Sequence, residues 1–436
     1  MLELFSAGLV ASWLQMMGLP RSADPWDLVN RPSLQTAAWQ VNAVDPAAER
    51  VKTQYLDLLK SQGLDPNSQG IWIQSGANLL TSHQGTVPMS AASLTKIATS
   101  LAALQTWGVN HQFETLVMTN GQIQNGVVQG DLLIQSNGDP MFLAEDAIAL
   151  GNTLNKMGIT RVTGDLVLTS RLMLHFEKDD WKSAELLKKI LTNQKDWELE
   201  VDQEVATIPE KMTRPKLAIA GKVRSSAPIE NATILVRHRS LPLHHLLKKL
   251  NVYSQNRMSQ LLADHLGGTE AVIQKAATAA RIPTDELLLI NGSGLGTENR
   301  ISAHAACAML AAIDRYLHPL NLTIADVFPA SGFDRNGTME DRDMPARSVI
   351  KTGTLSTVSA LAGVVPTRDR GLVWFAIINR GTDILELRQQ QDLFLHALQR
   401  EWGMVRSAAA IEPSAWVKQQ RSVLDASKRN EIVNGG

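Results

Sequence analysis

The sequence predicts a mixed α/β protein: one antiparallel sheet flanked by helices, built from the two ends of the chain and split by an inserted β-rich module. Three observations predict it. The stretch "GIWIQSGANLLTSHQGTV" alternates and turns like a β-hairpin, and an apolar helix follows it. Near the other end, "SVIKTGTL" reads as a strand and "STVSALAGVVPTRDRGLVWFAIINRG" as a hairpin with a polar turn, and a helical pattern closes the region over 384–402. Between the two ends, from 109 to 239, short strands and Gly/Asp/Asn turns take over. A sheet made by the first and last segments, with helices on its faces, buries the apolar side of each element.

Taken in order, residues 1–46 hold an apolar segment and a linker. The first twenty residues, "MLELFSAGLVASWLQMMGLP", contain Glu3 and no basic residue, and Arg21 follows the apolar run, which is atypical for a secretion signal and short for a membrane span. A helix is expected at "PAAERVKTQYLDLLKSQG", then the hairpin, then a helix that begins near Ser93 and ends at Trp107-Gly108. Within the insert, "FETLVMTNGQ", "GDLLIQSNGDP" and "RVTGDLVLTS" read as strands and turns, and the charged stretch from Glu177 to Lys216 as partly helical. Gly138-Asp139-Pro140 reads as a structural turn. Helical patterns return at 241–250, 253–267, 269–280 and 302–316. The domain division expected is 47–108 with 240–405, an insert at 109–239, and a loosely held tail at 406–436.

At 436 residues, with 44% hydrophobic and 19% charged residues, the chain has the composition of a globular protein with a large core. A formal net charge of −1 gives no electrostatic case for a nucleic-acid partner. A single cysteine, Cys307, excludes an internal disulfide framework and sits in an apolar helical pattern as a buried thiol. The ten histidines are scattered; the tandem His244 and His245 read as surface or half-buried helix residues, and no metal site is expected.

The candidate chemistry starts at "VPMSAASLTKIATSLAAL". Positions i and i+3 share a helix face, so Ser93 and Lys96 stand within reach of each other, and a lysine kept neutral by its surroundings would take the serine proton. Ser348 and Lys351 have the same spacing, but on a strand, where i and i+3 point to opposite faces. Two further motifs follow in order: Ser254-Gln255-Asn256 at the start of an amphipathic helix, and Lys351-Thr352-Gly353-Thr354 on a strand.

Serine–x–x–lysine, serine–x–asparagine and lysine–threonine–glycine, in this order, form the three-part signature of penicillin-binding proteins and class A β-lactamases. The chain resembles the low-molecular-mass penicillin-binding proteins of the D-alanyl-D-alanine carboxypeptidase/endopeptidase type, serine peptidase family S13. The resemblance runs over residues 55–380, through "SAASLTKIATSLAALQTWG", "GDLLIQSNGDP", "RVTGDLVL", "HRSLPLHHLLKKLNVYSQN", "INGSGLGTENRIS", "FPASGFDRNGTMEDR" and "KTGTLSTVSALAGVV". It implies the penicillin-binding-protein and serine β-lactamase type of fold. It implies Ser93 as nucleophile toward a D-Ala-D-Ala bond, Lys96 as base, Ser254 as proton relay and Asn256 as holder of Lys96 and the substrate amide. Lys351, Thr352 and Thr354 would bind the terminal carboxylate, Gly353 would let the strand approach the substrate, and the backbone N–H groups of Ser93 and Thr354 would form the oxyanion hole.

The partners so implied are peptidoglycan stem peptides and, as covalent inhibitors, β-lactams; no cofactor is implied, and the place of action is the cell envelope or periplasm. Two departures stand out: Gln255 replaces the usual aspartate, and Thr169, Ser170 and Arg171 stand where an acidic run is expected. The rival readings are a β-lactamase or esterase of the same fold, and a non-catalytic envelope scaffold.

Overall fold

The computed structural model describes residues 44–194, 197, 213–405, 408–414 and 425–433; the apolar N-terminal segment lies outside them. Helix α1 (Pro46–Ser61) starts where Asp45 accepts hydrogen bonds from the Ala47 and Ala48 N–H groups, both at 2.9 Å, with Pro46 in the first turn. Strands β1 (Gln69–Ser75) and β2 (Asn78–His83) form the expected hairpin. A short 3₁₀ turn, Ala92–Leu94, leads into α2 (Thr95–Trp107), and Gly108 ends that helix with φ +76°. Every residue from Thr95 to Leu104 is buried, so α2 runs through the middle of the molecule.

The insert follows: β3 (Glu114–Thr119), β4 (Leu132–Ser136), α3 (Ala144–Lys156), β5 (Leu166–Leu168), α4 (Asp180–Leu191), β6 (Val223–Ser225) and β7 (Thr233–Arg239). It is less purely β than expected. Strands β6, β5 and β4 pair in parallel, and α3 and α4 supply apolar faces to a separate core that includes Val117, Ile134, Leu150, Leu187 and Leu235. Helix α3 escaped sequence reading because Gly151 interrupts its pattern. A Cβ at Gly151 would stand 2.7 Å from Pro215 Cβ and 2.9 Å from Leu191 Cδ2, so the glycine marks close packing inside a helix and not a turn.

Helices α5 (Leu243–Val252), α6 (Asn256–His265), α7 (Thr269–Ala280) and α8 (Ala303–Leu317) come next, then β8 (Val349–Leu355), β9 (Val358–Thr367), β10 (Gly371–Arg380) and α9 (Ile384–Trp402). The main sheet has the order β8-β9-β10-β1-β2 and is antiparallel throughout, joining the first and last segments as expected. Alternation sorts its side chains. Ile71, Ile73, Phe375 and Ile377 pack with α1 and α9 on one face, while Trp72, Trp374, Ala376 and Ile378 pack with α2 and α8 on the other. Both faces are covered, which is why β10 reads as a continuous apolar run.

Two expectations need correcting here. Residues 425–433 are not loosely held: strand β11 (Asn430–Ile432) pairs with β7 at the sheet edge of the insert, and Arg429 bonds to the buried Asp146 at 2.5 Å. His244 and His245 are both buried, not at the surface, because α5 packs against α2 and the His244 ring sits 2.9 Å from the Val109 carbonyl. Cys307 is fully buried, as expected.

Candidate active site

Ser93 sits in the 3₁₀ turn ahead of α2, half-buried, between two buried alanines and the buried Leu94. Ala92 just before it has φ +46°, a left-handed conformation that costs a residue with a Cβ about 1–3 kcal/mol and that clusters at functional sites. Two glycines make room for this turn. A Cβ on Gly294 would stand 1.9 Å from the Ala92 carbonyl oxygen, and one on Gly353 would stand 2.7 Å from the Ala91 oxygen and 3.0 Å from the Ser93 nitrogen. The close approach that Gly353 permits is therefore of strand β8 to the serine turn itself.

Lys96 lies one helical turn on, with no exposed surface. Its Nζ lies 2.9 Å from Ser93 Oγ, 2.7 Å from Asn256 Oδ1 and 2.6 Å from the Ser293 carbonyl oxygen. The last two can only accept. Burial, and then the like charge of Lys351, hold the Lys96 ammonium well below its ordinary range. A neutral amine in this setting donates its two N–H bonds to Asn256 and Ser293 and keeps its lone pair for the Ser93 hydroxyl. That is the geometry of a general base.

Asn256 opens α6, and Ser254 precedes it with φ +51°, a second left-handed residue at the site. The Ser254 hydroxyl accepts from Lys351 Nζ at 3.1 Å. Lys351 also donates to the Thr352 carbonyl at 2.9 Å and has no exposed surface; burial pushes it down to about 7. Gln255 stands at the N-cap of α6 without a side-chain hydrogen bond to the helix. Ser348 bonds to the Pro345 carbonyl and stays apart from Lys351, as its place on the chain requires.

A cavity of about 300 Å³ opens over this cluster, lined by Ser93, Ser254, Asn256, Thr352 and Thr354, with Gly337, Thr338, Asp341, Arg342 and Arg388 closing it. β8 is an edge strand of its sheet; residues 329–331 bond to its outer side over Ser348–Ile350, at the end away from Thr354. Three participants were not singled out in the sequence. The Ser293 carbonyl lies in "INGSGLGTENRIS", where the Asn291 side chain accepts from the Ser293 and Gly294 N–H groups and holds the loop in shape. Arg342 lies in "FPASGFDRNGTMEDR". Both segments carried the family resemblance without an assigned role. Arg388, on α9, had no signal at all.

A fold of this kind, with a half-buried serine bonded to a fully buried lysine near a second lysine on an edge strand, defines an acyl-transferring serine enzyme of the penicillin-recognising class. The chain matches the D-Ala-D-Ala carboxypeptidase 3 (S13) family over residues 54–193 and 200–400, and it belongs to that family of serine peptidases. A carboxypeptidase of Mycobacterium tuberculosis is 23% identical over 387 residues, 79% of each chain. The D-alanyl-D-alanine carboxypeptidase DacB of Haemophilus influenzae is 37% identical over 90 residues, a segment that spans 21% of this chain and only 19% of that one. Among solved structures, a penicillin G-acylated predatory endopeptidase of Bdellovibrio bacteriovorus shares the fold, with a TM-score of 0.67 and 21% identity over 85% of this chain and all of its own.

Proposed function

We propose that this serine peptidase cleaves the terminal D-Ala-D-Ala bond of peptidoglycan stem peptides, and the corresponding cross-link, through an acyl-enzyme on Ser93, and that penicillin acylates the same oxygen. Ser93 Oγ attacks the carbonyl of the penultimate D-alanine while Lys96 accepts its proton. The oxyanion sits between the N–H groups of Ser93 and Thr354. Ser254 passes a proton from the lysines to the leaving amine, and the departing D-alanine is held by its carboxylate against Lys351, Thr352 and Thr354. Water then frees the acyl group. The observation that carries this reading is the three-way setting of Lys96 Nζ, with two obligate acceptors and one hydroxyl. A scaffold has no use for so costly a buried amine.

The substrate places the site of action in the cell envelope; no helix among the described residues is long and apolar enough to cross a membrane. The domain division follows the sheet and the separate core of the insert: 47–108 with 240–405 carry the chemistry, and 109–239 form the module beside it. Between insert and α6 lies a cavity of about 400 Å³, lined by Arg171, Lys178 and Asp180 from the insert and by Arg257, Asp264 and His265 from the helix that begins at Asn256. We assign this cavity to the stem-peptide side chain, with weak recognition of a free amine: Arg171 stands on its wall, where a carboxylate would serve better, and occupies Asp180 at 3.5 Å.

The test is to incubate the protein with a labelled penicillin and map the modified residue by mass spectrometry. Label on Ser93, with slow release, supports the reading. Rapid hydrolysis of the penicilloyl group points to a β-lactamase, and absence of label to a scaffold.

A further inference from the structure

The Thr354 hydroxyl oxygen accepts a hydrogen bond from Arg388 Nη2 at 2.8 Å. Arg388 stands just over one turn into α9, half-buried, on the wall of the cavity that Ser93 opens into. Its neighbour Arg342 is already neutralised, with Nη2 2.5 Å from Asp392 Oδ1, and also bonds to Gln391. Among the described residues no carboxylate forms an ion pair with Arg388. A guanidinium on the wall of a catalytic cavity, with Asp341 and Asp392 near but in no ion pair with it, has donors left for an anion.

We propose that Arg388 is a second binding residue for the substrate's terminal carboxylate, and that it selects ligands ending in a free acid. This rests on the reading of the site given above. A hydroxyl has one proton and two lone pairs. Because Arg388 fills a lone pair of Thr354 Oγ1, the Thr354 proton is left to point at the bound carboxylate, while the remaining N–H groups of Arg388 reach the same anion. Lys351 alone would make a poor permanent cation, since it is fully buried and burial pulls it down to about 7. Arginine keeps its charge throughout the working range. The charged groups around this cluster are Arg342, Asp341 and Asp392 near Arg388, and Lys351 near Lys96. Burial pulls Lys351 down to about 7 while arginine keeps its charge, so a pH series separates the contribution of Lys351 from that of Arg388.

The experiment measures acylation rate constants of the full chain, Arg388→Gln and Arg388→Lys, with a labelled penicillin and with its neutral methyl ester, at about pH 6 and about pH 8.5. Arg388→Gln is expected to slow acylation by the free acid about tenfold at the higher pH and less at the lower one, where Lys351 holds its proton. Acylation by the ester should change by less than about twofold, and Arg388→Lys should restore part of the loss. Equal losses for acid and ester, or no loss for the acid, would overturn the assignment and leave Arg388 a packing residue. Failure of the unaltered protein to label at Ser93 would overturn the underlying reading itself, and this assignment with it.

Discussion

The cavity above Ser93 and the cavity beside the insert handle charge in opposite ways. Beneath the first, Lys96 and Lys351 are fully buried, and the charged residues on its wall are Asp341, Arg342 and Arg388. In the second, Arg171 keeps 69% and Asp180 40% of their side-chain surface exposed while they face each other. Burial is the difference that matters. A desolvated amine feels every neighbour and gives up its proton, whereas an exposed ion pair is screened and contributes little. The buried amines lie beneath the first cavity, whereas the second carries an exposed ion pair on its wall, which suits the softer task of accommodating a side chain proposed for it.

Four measurements sharpen or break this contrast. The largest effect is expected from Ser93→Ala, which should abolish penicillin labelling while circular dichroism and the melting temperature stay close to those of the parent. Persistent labelling, or label at Ser348, would mean that the buried cluster is not the reacting one.

Lys351→Ala comes next. Loss of a charge-assisted contact in a shielded site should raise the acylation barrier by about 2–4 kcal/mol for a carboxylate-bearing β-lactam, and far less for a neutral ester. The pH dependence has a definite sign. Lys96 must be deprotonated, so acylation rises with pH through its lowered range; Lys351 must be protonated, so acylation by the acid declines above about 7, towards the level Arg388 maintains. The ester should lack that alkaline decline, and an identical profile for both ligands would give Lys351 a structural role only.

Gly353→Ala tests the packing rather than the charge. The added methyl meets the Ala91 oxygen at 2.7 Å and the Ser93 nitrogen at 3.0 Å, so the strand or the serine turn must yield. Overpacking of this kind costs about 1–3 kcal/mol. Acylation should fall together with thermal stability, and unchanged acylation would show that the turn tolerates displacement.

The smallest effect belongs to the insert. Cleavage of a stem peptide with a free side-chain amine should exceed that of its N-acylated analogue by roughly tenfold or less, about 1.4 kcal/mol. A thousandfold preference would mean that Asp180 or Asp264 reads the amine in spite of Arg171.

Much of this was legible in the chain. Ser93 and Lys96 are close because a helix makes them so, and the hairpins of the main sheet announce themselves by alternation and turns. The insert was harder: Gly151 disguised a helix, and the parallel pairing of β4, β5 and β6 depends on segments far apart in sequence. The burial of His244 and His245 likewise follows from which neighbour α5 meets and not from its own pattern.

What the sequence by itself determined is local: the order of the elements, Ser93 with its lysine one turn away, and the two later motifs at a helix start and on a strand. Backbone geometry sets such relations over a few residues, so they survive without knowledge of the fold. What only the tertiary structure decided is the state of the charges. The Lys96 ammonium is held well below its ordinary range by burial and then by the like charge of Lys351, and Asn256 and the Ser293 carbonyl, distant in the chain, accept from its amine. Arg388 gains its place by α9 because the last helix packs on the same sheet that carries Thr354. Desolvation and Coulomb terms depend on distances between groups, and no reading of spacing along the chain supplies those distances.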